Sequence, residues 1–216
     1  MGIIKHGILG GFRKKTGSVV GAYWRRLDVI RALPRSSGKA PTPAQADQRL
    51  QFGLVTAFLS GISDLIEVGF ASTASINTPM NKAVAYHLKN AIGGVSPDFS
   101  INMEALKFSS GKLELPLNMI AGAQPATGIH FSWNGNDTEG KYNEASDRLT
   151  FLVYNPAKKK FVKVINAVPR SANNYTLQLP ADFAGEQVYC YYCLNSVSKK
   201  NLKSDSNFLG SLNLPE

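Results

Sequence analysis

The chain is poor in the residues that most often do chemistry. Among 216 residues there are two cysteines and three histidines, and twenty-four Lys/Arg outnumber fifteen Asp/Glu. Two cysteines exclude the disulfide framework that staples many small secreted domains. They stand as Cys190-Tyr-Tyr-Cys193 within EQVYCYYCLNSV, an aromatic and β-branched run that predicts a strand. Residues three apart on a strand face opposite sides, so these thiols are not expected to bridge. Redox chemistry would need the first cysteine at a helix N-terminus, and a zinc site would need a second ligand pair that is missing. Packing is the expected role.

The histidines, His6, His87 and His130, are scattered over three segments, and no G-x-S-x-G marks a nucleophile. His87 sits beside the apolar stripe of a predicted helix, as a packed or solvated residue would. No apolar run reaches eighteen residues, so no single membrane-spanning helix is expected. Residues 3–12 are too short and too broken by glycine for a signal-peptide core. The expected location is the cytoplasm, or outside it by export without a cleaved leader.

What is present begins with glycine and charge. GILGGFRKKTGS resembles a phosphate loop only superficially: Gly11 and Gly17 enclose five residues, and Ser18 stands where the lysine is needed. No βαβ unit follows, so a dinucleotide fingerprint is excluded as well. Tight turns or close backbone packing explain these glycines better. Four carboxylates gather in NGNDTEGKYNEASD (Asp137, Glu139, Glu144, Asp147), but their spacing fails the calcium loop, and a solvated loop is expected. Lys158-Lys159-Lys160 after Asn155-Pro156 reads as a charged hairpin tip guarding a sheet edge. No catalytic residue, cofactor or metal is expected.

The charge is asymmetric. Residues 1–50 carry ten Lys/Arg against Asp28 and Asp47, a net +8, whereas the remaining residues carry +1. Such a concentration suits a polyanion or an acidic protein surface. The candidate contact residues are Arg13, Lys14, Lys15, Tyr23, Trp24, Arg25, Arg26, Arg31 and Arg35, cations interleaved with two aromatics.

Periodicity divides the chain. SVVGAYW and LDVIRAL predict a β-hairpin behind a glycine-rich lead strand, closed by Pro34 and a linker, RSSGKAP. Thr42-Pro43-Ala44-Gln45 is a helix start, and Leu50, Leu54, Phe58 and Ile62 form a stripe continuing to about Phe70. Thr78-Pro79 starts a second helix, with Met80, Val84, Leu88 and Ile92 as its stripe and Gly93-Gly94 as its stop. From about residue 98 the pattern returns to strands: SINMEALKFS, KLELPLNMI, GIHFSWNG, RLTFLVYN, KFVKVINAV, NYTLQLP, EQVYCYYCLNSV and FLGSLNL. Short strands at regular spacing predict an antiparallel sandwich, with Trp133 as a core anchor. The expected fold class is α+β. A basic hairpin with two amphipathic helices fills residues 1–97, and a sandwich resembling immunoglobulin-like or fibronectin-type-III-like modules fills 98–216.

GILGGFRKKTGSVVGAYWRRLDVIRALP, TPAQADQR, AVAYHLKNAIGG, LTFLVYNPAKKKFV and FAGEQVYCY together resemble a Bacteroidota family of uncharacterised proteins. That family's W-K-G pattern has a glycine where this chain has Arg26, so a glycine-dependent turn is not expected there. The hairpin followed by a P-x-T-x-A-Q-x-x-x-R-like helix start is also similar to phage and prophage virion-associated proteins. The resemblance implies a non-enzymatic structural protein of a virion-like or extracellular multimeric assembly, partnered by itself or by other subunits. Two other readings are carried: a nucleic-acid-binding protein using the basic arm, and an adhesin binding glycan or protein through its sandwich loops.

Overall fold

The computed structural model describes residues 2–3, 11–24, 27–35, 38–72, 77–125, 127–135 and 140–215. It divides into two compact units, residues 1–43 and 44–216.

The first unit is a four-stranded antiparallel sheet. Its strands are β1 (Gly2–Ile3), β2 (Lys14–Thr16), β3 (Val19–Trp24) and β4 (Leu27–Ala32), in the order β1-β4-β3-β2. The expected hairpin is β3/β4. Thr16 pairs Val19 across the two residues Gly17-Ser18, and Gly17 alone of these has positive φ, at 59°. A two-residue hairpin loop with glycine first is the turn whose twist matches the flanking strands. Gly17 therefore serves a turn.

The second unit opens with helices α1 (Pro43–Ser60), α2 (Ser63–Gly69) and α3 (Pro79–Asn90). Among the described residues three α-helices stand where two were expected, because α1 and α2 meet at 89° across Gly61. A Cβ on Gly61 would lie 2.6 Å from the Phe161 ring, so the bend brings the chain against the sheet where only glycine fits. No single helix among the described residues is long and apolar enough to cross a membrane. α3 starts as expected: Thr78 Oγ1 accepts from the Asn81 amide at 3.3 Å, and Pro79 occupies the first turn.

A small hairpin, β5 (Ile92–Val95) with β6 (Asp98–Ile101), follows. The strand expected over 100–109 ends at Ile101. There the Asn102 side chain accepts from the Glu104 amide at 3.0 Å and turns the chain into a short 3-10 helix. The strand expected from Lys112 starts only at Leu117, after Pro116, which has no N–H to give a ladder.

Seven strands then build two facing sheets: β7 (Leu117–Gln124), β8 (Gly128–Asn134), β9 (Arg148–Asn155), β10 (Lys160–Pro169), β11 (Asn174–Gln178), β12 (Gln187–Asn195) and β13 (Asn207–Asn213). One sheet is ordered β10-β9-β12-β13 and the other β11-β8-β7, all pairs antiparallel. The core between them holds Phe131, Trp133, Phe151, Val153, Cys190 and Tyr192. Phe131 stacks on Phe151 at 4.4 Å, and Trp133 Nε1 donates to the Arg170 carbonyl at 2.7 Å.

A second core lies on the other face of the four-stranded sheet. Leu152, Tyr191 and Cys193 point into it and meet Val55, Leu59, Ile62 and Ile66 of the helical region. Strands β9 and β12 are thus buried on both faces, which makes the unit three layers deep: helices, sheet, sheet. The boundary expected at residue 97 is displaced to residue 43 for this reason. The helices find their partner in the sandwich sheet, because that sheet carries apolar side chains at successive positions.

Candidate interaction surface

The first unit holds nine Lys/Arg and one acid, a net +8 on 43 residues. Register decides which side chains share a face, since residues paired across an antiparallel ladder point the same way. Lys15 pairs Val20, which pairs Arg31, so these two cations lie on one face two strands apart, about 10 Å. Ala22, Val29 and Ile3 form the next row on that face, and Trp24 with Leu27 the last. Lys14 pairs Gly21 and Ile30 on the opposite face, where Tyr23 pairs Asp28.

The nine candidate residues are therefore not one cluster. Lys15, Trp24 and Arg31 share one face; Lys14 and Tyr23 belong to the other. Arg13 places its guanidinium over the Tyr23 ring, 5.0 Å from the centroid, a cation–π contact that holds both side chains. Arg35 is exposed after the sheet ends. Arg25 and Arg26 lie outside the described residues, as does His6.

The face with Lys15 and Arg31 carries an apolar patch that sequence reasoning missed. Ile3 is 55% exposed, Trp24 50% and Leu27 39%. The sequence marks Trp24 as a candidate contact aromatic, whereas only strand pairing places Ile3 and Leu27 on the same face. Alternation within VVGAYW and LDVIRA was the available signal, but it does not say which face is which. Gly21 is fixed by a close approach: a Cβ there would lie 2.2 Å from the Phe12 carbonyl oxygen.

In the second unit several ionisable groups are held by neighbouring side chains and backbone. Cys190 and Cys193 are free and buried, one in each core, and burial pushes each thiol up to about 12. His87 is buried; its Nδ1 lies 2.7 Å from the Ala83 carbonyl, so it donates there, and Nε2 accepts from the Lys107 amide at 3.2 Å. Burial lowers its pKa, against the Ala83 hydrogen bond, and both nitrogens are occupied in the neutral form. His130 bonds Thr176 Oγ1 at 3.1 Å.

Of the four loop carboxylates, Asp137 and Glu139 lie outside the described residues. Glu144 pairs Lys199 at 2.6 Å, and Asp147 is fully buried with Arg170, 3.4 Å away. Among the described residues no group of three His, Cys, Asp or Glu could hold a metal ion. Lys158-Lys159-Lys160 forms the expected turn into edge strand β10, with Lys159 at φ 53°. Lys160 pairs Asp182 at 2.9 Å, and Lys158 donates to the Asp182 carbonyl.

Two solved structures are similar in part. The fn3 domain of human collagen alpha-1(XX) chain is 18% identical, covering 50% of this chain and 89% of that one, with a TM-score of 0.32. A structure titled "Myokine structure" is 12% identical, covering 49% and 100%, with a TM-score of 0.33. No curated protein matches the chain. A family model does match, over residues 11–210, and takes in strands β2–β4 of the basic sheet and most of the three-layered unit; the chain belongs to DUF6266, a family of unknown function.

Proposed function

We propose that the chain is a non-enzymatic assembly protein whose N-terminal sheet docks on another copy. The observation that carries this reading is the row of half-exposed apolar side chains, Ile3, Trp24 and Leu27, on the face that also holds Lys15 and Arg31. Exposed apolar side chains gathered on one face and rimmed by charge are the mark of a protein interface. Two such sheets facing each other would oppose +8 to +8, whereas residues 44–216 carry only +1. The contact is therefore heterologous, sheet of one copy on residues 44–216 of the next, which builds a ring or a filament. In this reading the seven-stranded sandwich is fibronectin-type-III-like, its order three strands against four, and serves as the body of the subunit.

Nucleic-acid binding is the second reading, carried by Lys15, Arg31 and Trp24 on one face. It is less favoured because Lys14 and Tyr23 lie on the other, so the cations do not form one phosphate-spaced track. A photo-crosslinking residue in place of Trp24 tests the proposal in a mixture of light and heavy isotope-labelled copies. Mixed-label adducts mapping to residues 44–216 are expected. Adducts confined to single copies would overturn it.

A further inference from the structure

Beyond any assembly role, the second unit contains an open cavity of about 380 Å3, lined by polar and apolar side chains in similar measure, with a buried cation in its wall. The cation is Lys203, only 4% exposed. Its Nζ donates to the carbonyls of Val68, at 2.5 Å, and Ala71, at 2.7 Å, at the C-terminal end of α2. Those carbonyls carry a partial negative charge that offsets part of the ammonium charge. The offset is incomplete, for α2 has seven residues. No ion pair joins Lys203 to a carboxylate among the described residues. Burial lowers its pKa, and the like charge of Lys82 lowers it further. One of its three N–H donors has no acceptor among the described residues. A buried cation left in this state is costly unless an anion completes it.

The rest of the wall is suited to a polar guest. Asn166, Asn195, Ser196 and Asn201 line it. Asn195 Nδ2 donates to Asn166 Oδ1 at 3.1 Å, which leaves the Asn166 amide N–H groups and the Asn195 carbonyl free to act together as donor and acceptor. Glu67 also lines the cavity without pairing with Lys203, and its charge opposes an anion there.

We propose that this cavity binds a small carboxylate carrying hydroxyl or amide groups, with Lys203 receiving the carboxylate and the asparagines receiving the neutral polar groups. The test is a nuclear magnetic resonance titration of the whole chain with sodium D-gluconate, sodium acetate and, at matched ionic strength, sodium chloride. Gluconate is expected to give saturable shifts in the amides of residues 66–71 and 195–203, with acetate several-fold weaker. Lys203→Met is expected to lose at least about tenfold in affinity, the equivalent of one charge-assisted contact. Glu67→Gln is expected to bind several-fold tighter, since it removes an opposing charge without touching the capped carbonyls. Shifts reproduced by chloride, or equal affinity for acetate and gluconate, would overturn the proposal. Should Lys203→Met fail to fold, Glu67→Gln decides alone, and an affinity unchanged or weakened in that variant overturns it.

Discussion

Leu59→Ala separates a structural helical layer from a detachable one. Leu59 is fully buried on α1 in the core that α1–α3 share with Leu152, Tyr191 and Cys193 of the sandwich sheet. Truncation removes buried carbons and leaves a cavity that close-packed neighbours only partly fill, at a cost of about 3 kcal/mol. For a cooperative unit of 173 residues this lowers Tm by about 6–12 °C. The assay follows far-ultraviolet dichroism for the helices and Trp133 fluorescence for the sandwich core, with Trp24 replaced by Phe so that one indole reports. Both signals are expected to shift together, by the same amount. A helical signal that melts early while the Trp133 transition stays put would refute the three-layer account and restore a boundary near residue 97.

Three further outcomes follow from buried polar groups. Arg170→Met strands Asp147 as an unpaired buried charge and is expected to cost about 3–5 kcal/mol in chemical denaturation, with most of it recovered by adding Asp147→Leu. His87 has a folded pKa below its ordinary 6.5, so above that pH both states are neutral and its contribution is complete. As pH falls below 6.5 the unfolded chain takes up the proton first and stability declines; thermal melts from neutral to mildly acidic pH should show this slope, flattened in His87→Gln. Cys190 and Cys193, buried with thiols at about 12, should resist a thiol reagent in the native protein and react fully once it is denatured.

Much of the strand order was legible because side-chain alternation and turn residues reinforce each other. RLTFLVYN and EQVYCYYCLNSV became β9 and β12, and Cys190 and Cys193 fell on opposite faces as their spacing requires. The same stretches held the unread clue to the architecture. Their apolar side chains do not alternate with polar ones, which signals a sheet covered on both faces, and the cover turned out to be the helices. The α1–α2 bend was hidden because the apolar stripe continues through Gly61, and the close approach that requires glycine there is to the Phe161 ring, a hundred residues away in sequence. At the candidate surface, composition exposed the charge but not its division between two faces. That division depends on the pairing of Lys15 with Val20 and of Lys14 with Gly21, which no single strand encodes.

In the proposed assembly the face bearing Trp24 and Leu27 holds copies of this chain together. Sedimentation velocity of the full chain over a wide concentration range tests it most directly, alongside a Trp24→Glu, Leu27→Glu variant checked for an unchanged melting curve. The account predicts concentration-dependent association of the wild type, abolished in the variant. A wild type that sediments as a monomer at every concentration, or a variant that associates equally well, would contradict it.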